Sequence, residues 1–251
     1  MPSRAARIGG RVVQVADDQP TFWDRVAAGR WEPDTLAVID AIVDDRTTFV
    51  DLGAWVGPTA LYAAAIARRV VAVEADPAAL DQLRRNLAVN PELAARVEVV
   101  PRAVHARDGH VTLGARRKPG DSMSSTLLGN AGRTWQAATL TPGELAAMLS
   151  ADERVVVKID IEGGEYDLLP SLAPLLARTE AVLVSFHPKM LTAASADQRE
   201  AARRTRAALA ALAGFHARAL DAKSAWHARL APLLLRWRGH LICNDWLFTR
   251  R

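Results

Sequence analysis

The chain has 251 residues, of which half are hydrophobic and 24% are charged, and its formal net charge is +4. This composition supports a sizeable buried core, and the small, mixed excess of basic residues disfavours nucleic acid as a partner. A single cysteine, Cys243, excludes an internal disulfide. No stretch approaches the roughly 18 apolar residues of a membrane span, and residues 1–18 lack a signal-peptide pattern, so we expect a cytoplasmic protein without membrane contact.

Residues 1–45 precede the first predicted strand and are predicted to form an N-terminal helical cap or lid. The stretch 21–45 indicates two short helices broken near residues 29–33, where a glycine and a proline occur. Phe22, Trp23 and Trp31 are interpreted as apolar packing within this cap. The alternative is a lid over a bound ligand, and in that case Trp23 is the residue expected to contact the substrate.

Short β-branched runs alternate with Ala- and Leu-rich stretches over residues 46–251, which we predict to form one cofactor-binding domain. Strands are predicted at residues 48–52, 70–75, 97–104, 155–161, 181–186, 215–220 and 241–250, with 110–115 as the return strand of a hairpin. Helices are predicted at residues 58–68, from 77 to about 89, from the fourth strand through 176, and at 197–212. This alternation indicates an α/β fold with a mostly parallel sheet covered on both faces, in which ligands bind beyond the carboxyl ends of the strands.

A glycine turn follows the first predicted strand in the stretch FVDLGAWVG. Asp51 ends the strand, and Gly53 and Gly57 lie in the turn. Glu74 ends the second strand, where a carboxylate can accept hydrogen bonds from the diol of a ribose. The sequence therefore predicts a cofactor that contains a ribose.

Three residues in and beside the turn narrow the identity of that cofactor. A dinucleotide fingerprint would need glycine at the positions of Trp55 and Pro58, and an indole leaves little room for a pyrophosphate. Asp51 is an acceptor that would repel phosphate and suit an ammonium group. S-adenosylmethionine (SAM) has a ribose diol, an ammonium group and no phosphate, so it is the predicted cofactor. A nicotinamide-dependent dehydrogenase is a weaker alternative.

Acidic residues and a histidine follow the fourth and fifth strands. Asp160 ends the fourth strand, and a carboxylate there is costly unless it is used or paired. His187 ends the fifth strand and could act as a general base, with Glu162 as a further catalytic candidate. Glu162 and Glu165 could instead be placed by the dipole of the following helix. Asp160, Glu162 and His187 could together hold a divalent metal, but no compact ligand motif supports this, so no metal site is predicted.

The small polar residues between 120 and 130 are predicted to form either a surface turn or an active-site loop. In the second case Ser124 is a candidate substrate residue, together with Glu165. Residues 223–238 carry an apolar stripe at helical spacing flanked by basic residues. That segment is interpreted as a helix packed on the sheet edge, and a substrate lid or a homodimer contact is the alternative.

The motifs FVDLGAWVG, VVAVEADP and VKIDIEGGEYDLL resemble those of the FkbM family of SAM-dependent methyltransferases, most clearly over residues 48–186. The resemblance implies a Rossmann-like class I methyltransferase fold, a three-layer sandwich with a seven-stranded sheet whose last strand is antiparallel. It also implies a set of cofactor contacts: Asp51, Gly53, Ala54, Gly57, Glu74, Ala75 and, on the third strand, a position near Ala103. Asp160, which ends the fourth strand beside the cofactor crevice, is a further candidate for cofactor binding. The family more often has asparagine at the position of Trp55.

The resemblance further implies methyl transfer to oxygen, and the predicted partner is a small hydroxylated molecule such as a natural product or a sugar. Three alternatives stay open: an RNA or DNA methyltransferase, an N-methyltransferase, and a non-catalytic protein that binds the cofactor. An N-P-P-Y-like tetrapeptide, which would grip an exocyclic amine, does not follow the fourth strand, where the chain reads DIEG.

Overall fold

The computed structural model describes residues 3–16, 18–115, 119–120, 124–128, 133–222, 224–238 and 243–250. The strands in this part of the chain are β1 (Ser3–Ile8), β2 (Arg11–Ala16), β3 (Thr47–Leu52), β4 (Arg69–Val73), β5 (Val97–Val100), β6 (Ala103–Val104), β7 (His110–Ala115), β8 (Ser124–Ser125), β9 (Thr134–Leu140), β10 (Arg154–Ile159), β11 (Thr179–Ser185), β12 (Phe215–Ala219) and β13 (Asp245–Arg250).

The helices flank these strands, and most begin at a proline, whose missing N–H costs nothing in the first turn. They are α1 (Pro20–Ala27), α2 (Pro33–Ile42), α3 (Pro58–Ala64), α4 (Pro77–Ala88), α5 (Pro91–Ala94), α6 (Pro142–Ala147), α7 (Glu165–Leu168), α8 (Ala173–Leu176), α9 (Pro188–Ala194), α10 (Gln198–Ala211) and α11 (Ala225–Arg238). No helix among the described residues is long and apolar enough to cross a membrane.

The central sheet has seven strands in the order β12-β13-β11-β10-β3-β4-β5. The pairs from β11 through β10, β3 and β4 to β5 are parallel, and β13 runs antiparallel to both of its neighbours. The predicted α/β fold with a mostly parallel seven-stranded sheet and an antiparallel last strand is confirmed. Residues 241–242 of the last predicted strand lie outside the described part of the chain.

Buried apolar residues form one cluster on each face of this sheet, because side chains alternate between the faces along each strand. Val50 and Leu52 of β3 belong to one cluster, and Phe49 belongs to the other. In β10, Val157 packs in the first cluster and Val156 in the second. Asp51 alternates with Val50 and Leu52, and Lys158 follows Val157, so both side chains point to the second face. The two residues lie side by side in the parallel pairing of β3 with β10.

The second face is covered by the N-terminal residues, which differ from the prediction. Helices α1 and α2 occur as expected, but residues 3–16 form an antiparallel β-hairpin instead of helix. Two asparagines of the α4 region attach the hairpin, since Asn86 accepts from the N–H of Ala16 and Asn90 from that of Gln14. The hairpin, α1 and α2 together form the cap.

Several predicted element boundaries also change. The third predicted strand splits into β5 and β6, and β6 joins a separate four-stranded sheet of order β6-β9-β7-β8. The expected hairpin return is β7, but it pairs with β9, which was not predicted. The helix expected after β10 is interrupted by a 3₁₀ turn at Leu169–Ser171 and continues as α8. Helix α3 ends at Ala64, four residues earlier than expected.

Candidate active site

The glycine turn after β3 is shaped by close approach to the end of β10. Gly53 has φ +85°, and a Cβ at this position would lie 1.9 Å from the carbonyl oxygen of Asp160. Gly57 has φ +92° and N-caps α3, packed against Leu83. Only glycine combines this backbone conformation with such close approach, so the turn is built for tight backbone packing.

Trp55 links the turn to three other parts of the molecule. Its φ is +48°, its backbone N–H donates to Glu74 Oε2 at 2.7 Å, and its indole Nε1 donates to the carbonyl of Gly120 at 3.1 Å. Its ring lies edge-on to Phe22 of the cap, with 4.5 Å between the ring centroids. The residue that departs from the family pattern therefore fastens the cap to the turn.

Glu74 is held by backbone donors at the end of β4. Its Oε1 accepts from the N–H groups of Ala75 (2.8 Å) and Asp76 (2.7 Å), and its Oε2 accepts from Trp55. Burial raises the pKa of Glu74 to about 7, although these hydrogen bonds favour the ionised form. Because Oε2 accepts only one hydrogen bond within the protein, it can accept another from a ligand hydroxyl in the cavity.

Asp76 connects the start of α4 to the loop that contains Ser124. Its Oδ1 accepts from the N–H of Ala78 at 2.8 Å, so Asp76 is the N-cap of α4. Its Oδ2 accepts from the N–H of Gly120 (2.7 Å) and from Ser124 Oγ (2.6 Å). The Ser124 proton is thus already engaged, and its oxygen remains free to accept.

A buried lysine, Lys158, is a feature that sequence reasoning did not assign to the site. Its Nζ lies 3.1 Å from Asp160 Oδ2 and 3.7 Å from Asp51 Oδ1. Burial lowers the pKa of Lys158, but the charges of Asp160, Asp51 and Glu32 outweigh burial and raise it. Burial raises the pKa of Asp51 against the pull of Lys158. The sequence did indicate that Lys158 is special, because a charged residue inside an apolar strand needs a partner of opposite charge.

Asp160, Glu162 and His187 come together at the carboxyl ends of β10 and β11. His187 Nε2 lies 3.4 Å from Glu162 Oε2 and 3.7 Å from Asp160 Oδ1. Each residue offers one ligand atom, and these atoms lie within 4.8 Å of one another, so the group could hold a metal ion. The three predicted catalytic residues therefore form one cluster.

The protonation of this cluster differs from that of free side chains. Burial lowers the pKa of His187, but its hydrogen bond to Glu165 and the surrounding carboxylates prevail and raise it to about 9. Burial raises the pKa of Glu162 to about 7. Burial also opposes ionisation of Asp160, yet the charges of Lys158 and His187 hold its pKa below the usual range. At neutral pH a carboxylate is therefore better suited than His187 to accept a proton.

Glu165 was predicted as a substrate residue, but the structure places it behind the cluster. It is fully buried, and its Oε1 accepts from the backbone N–H of His187 at 2.6 Å and lies 3.3 Å from His187 Nδ1. Its Oε2 accepts from the N–H of Gly163 at 2.7 Å. Glu165 thus positions the imidazole and does not line the cavity.

One cavity of about 770 Å³ joins the glycine turn to the cluster. Its volume falls within the roughly 300–1,000 Å³ that small-molecule and cofactor sites usually have. Nine of the residues predicted for the site line it: Gly53, Ala54, Glu74, Ala75, Ala103, Ser124, Asp160, Glu162 and His187. Predicted cofactor and acceptor residues therefore share a single space.

Four predicted site residues do not line this cavity. Asp51 is fully buried beside Lys158, and Gly57 is buried as the N-cap of α3. Glu165 supports His187, as described above. Trp23 is 1% exposed and belongs to the apolar cluster beneath the cap, so it could reach a ligand only if the cap moved.

The cap contributes other residues to the wall. Arg25, Trp31 and Glu32 line the cavity opposite the sheet, together with Asn244 and Asp245 at the start of β13. Glu32 has φ +41°, and its Oε2 is buried without a hydrogen-bond partner. Burial raises the pKa of Glu32 to about 7. These residues were missed because their positions depend on how the cap folds over the sheet.

The fold, the glycine turn and the acidic strand ends define a class I methyltransferase. A family model described as the methyltransferase FkbM domain matches residues 51–214. The chain therefore belongs to the FkbM methyltransferase family, as its motifs predicted. No curated protein matched in a sequence search.

The chain is similar to several solved structures at low sequence identity. An FkbM methyltransferase from Methylobacillus flagellatus KT is 16% identical with a TM-score of 0.50, over 94% of this chain and 56% of that one. A Streptococcus mutans methyltransferase-fold protein, SMU.1697c, was solved with S-adenosylhomocysteine (SAH). It is 9% identical with a TM-score of 0.48, and the match covers 86% of this chain and 96% of that one. A precorrin-6y C5,15-methyltransferase from Geobacter metallireducens GS-15 is 15% identical with a TM-score of 0.40, over 73% and 71%.

Proposed function

We propose that this protein is a SAM-dependent O-methyltransferase that acts on a hydroxyl of a small molecule, such as a natural product or a sugar. The observation that carries the proposal is the single cavity with Glu74 at one end and the cluster of Asp160, Glu162 and His187 at the other. Glu74 would bind the ribose diol of SAM, while Gly53 and Ala54 leave room for the cofactor along the turn.

Methyl transfer is an in-line displacement in which the acceptor oxygen attacks the sulfonium methyl group. The C–S bond breaks as the C–O bond forms, SAM becomes SAH, and the hydroxyl proton must be taken up. Glu162 lines the cavity, and its Oε2, which makes no hydrogen bond and lies 3.4 Å from His187 Nε2, could accept a hydrogen bond from an acceptor hydroxyl. Orientation of the hydroxyl and removal of its proton are the contributions expected of this cluster.

A small acceptor is favoured over nucleic acid by the charge of the acceptor end. Glu32, Asp160, Glu162 and Asp245 line it beside the positive groups Arg25, Lys158 and His187. A phosphate backbone binds through concentrated basic side chains, and the carboxyl groups of this wall would oppose such binding. The cap residues Arg25 and Trp31 also cover the cavity and limit the size of the acceptor.

Calorimetric titration with SAH, SAM and NADH tests the cofactor. We expect SAH and SAM to bind, NADH not to bind, and Glu74→Ala to lose at least tenfold in SAH affinity. The matched control is Glu92→Ala, because Glu92 is exposed on α5. Equal loss in both variants, or binding of NADH instead, would remove the proposed cofactor site.

Turnover with a panel of hydroxylated and amine acceptors tests the reaction. SAH release and NMR of the product's new methyl group distinguish O-methylation from N-methylation. We expect Asp160→Asn and Glu162→Gln to retain SAH binding but lose at least tenfold in turnover. Product methylated only on nitrogen, or full activity in both variants, would contradict the proposed reaction.

A further inference from the structure

The cluster of Asp160, Glu162 and His187 has a geometry that acid–base chemistry alone does not require. Its ligand atoms lie within 4.8 Å of one another and come from two neighbouring strand ends. A mixed set of two carboxylates and one imidazole suits divalent ions such as Mn²⁺, Fe²⁺, Co²⁺ and Zn²⁺. Two carboxylates also balance the charge of such an ion.

The other polar atoms of these side chains are already anchored. Glu165 contacts His187 at Nδ1 (3.3 Å), so Nε2 is directed toward the two carboxylates. Lys158 Nζ holds Asp160 Oδ2 at 3.1 Å, so Oδ1 is the atom turned toward His187. A carboxylate that orients a histidine from behind is the usual support of a metal-binding imidazole.

A third observation concerns one oxygen of Glu162. Its Oε2 is buried, makes no hydrogen bond and has His187 Nε2 at 3.4 Å as its charged neighbour. A buried carboxylate oxygen without a hydrogen-bond donor is costly, and a cation held between Glu162 and His187 would satisfy it. The backbone fixes this arrangement, because Ser125 Oγ donates to the carbonyl of Glu162 at 2.6 Å.

We propose that Asp160, Glu162 and His187 bind one divalent cation, whose remaining coordination positions face the acceptor end of the cavity. The role of the ion rests on the proposed function. It would coordinate the acceptor hydroxyl, which favours loss of its proton to water before the oxygen takes the methyl group from SAM. An acceptor with two adjacent oxygens would occupy two open positions, and this names a catechol-like or α-hydroxycarbonyl compound as the preferred substrate class.

The test is titration of the chelator-treated full chain with Mn²⁺, with free Mn²⁺ followed by electron paramagnetic resonance. We expect one saturable site per chain. Glu162→Gln and His187→Gln should each lose at least tenfold in Mn²⁺ affinity, and Glu165→Gln about 10- to 100-fold as a positioning residue. His216→Gln and Glu92→Gln are matched controls on exposed positions and should bind as the unmodified chain does.

The titration of the unmodified chain decides the proposal even if a variant fails to fold. Absence of saturable Mn²⁺ binding overturns it, and so does equal binding by folded Glu162→Gln and Glu92→Gln. SAH titration of the same chelator-treated sample separates the two proposals. SAH binding with full turnover in the absence of metal overturns the proposed role of the ion and leaves the methyltransferase function standing, whereas bound Mn²⁺ without SAH binding supports the cation site and removes the methyltransferase function.

Discussion

Gly53 is the residue at which the turn after β3 comes closest to the end of β10. Its φ is +85°, and the atom that would meet a Cβ, at 1.9 Å, is the backbone oxygen of Asp160. A backbone atom cannot move aside cheaply, so Gly53→Ala should displace Asp160 as well as strain the turn. We expect a larger loss of stability than the roughly 1–2 kcal/mol of a left-handed alanine alone, measured by urea unfolding.

Two other glycines separate the causes of that loss. Gly29 has φ +67° but open space around it, so Gly29→Ala measures only the cost of placing alanine in a left-handed backbone conformation. Gly143 has open space and no positive φ, so Gly143→Ala should be neutral or slightly stabilising. If Gly53→Ala and Gly29→Ala cost the same, the close approach to Asp160 contributes nothing.

At the residue scale, the sequence predicted which residues end the strands better than it predicted where their side chains point. Glu74, Asp160 and His187 follow their strands and line the cavity, as expected. Asp51 also ends a strand, but it points to the other face of the sheet from Leu52 and pairs with Lys158, which is 107 residues away in the sequence. Which face a strand end presents, and what it meets there, depends on pairings that no local motif encodes.

At the scale of elements, the sequence predicted the parallel core and missed structure at its edges. The core strands are predominantly apolar, so their type and order of appearance could be read directly. The β1–β2 hairpin was missed although its signal was present: Ala6, Ile8, Val13 and Val15 are buried at alternate positions around Gly9–Gly10. Its docking on α4 through Asn86 and Asn90 could not be predicted, because long-range packing sets it.

The cap is fastened to the glycine turn by aromatic contacts, and this gives an element-scale prediction. Phe22 lies 4.8 Å from Trp23, 5.7 Å from Trp31 and 4.5 Å from Trp55 between ring centroids. Each aromatic pair contributes about 0.5–1.5 kcal/mol beyond area burial. We expect Phe22→Ala to increase amide hydrogen exchange in α1 and α2 while β10 keeps its protection.

The matched control for this variant is Trp226→Ala, because Trp226 is 67% exposed on α11. That variant should leave exchange in the cap unchanged. Since Trp31 and Glu32 line the cavity, loosening the cap should also weaken SAH binding. Unchanged exchange in α1 and α2, or equal loss of protection in β10, would show that the cap is not a separately fastened element.

At the scale of the whole molecule, the free energy of unfolding depends on cavity groups whose ionisation is linked to folding. Glu74 is 9% exposed, and burial raises its pKa from 4.5 to about 7 in the folded chain. The folded state therefore binds this proton more tightly than the unfolded state does. Its contribution to the free energy of unfolding falls as the pH rises from about 4.5 to 7, by on the order of 3 kcal/mol in total.

Glu74→Gln removes this titration, so the difference in unfolding free energy between the variant and the unmodified chain should change across that interval. Urea unfolding at pH 4.5, 5.5, 6.5 and 7.5 measures it, and Glu92→Gln controls for removal of an exposed carboxylate. Other groups titrate in both proteins, and the comparison cancels their contribution. A difference that stays constant from pH 4.5 to 7.5 would contradict the raised pKa of Glu74.

Cofactor binding should have the opposite dependence on pH. Ribose hydroxyls that donate to Glu74 favour its ionised form, so SAH binding would release this proton below pH 7. We therefore expect SAH affinity to rise between pH 5.5 and 7.5 in the unmodified chain and in Glu92→Gln, but not in Glu74→Gln. Calorimetry in two buffers of different ionisation enthalpy measures the released proton directly. Equal pH dependence in all three proteins would mean that the ribose is held elsewhere in the cavity, even if SAH binds.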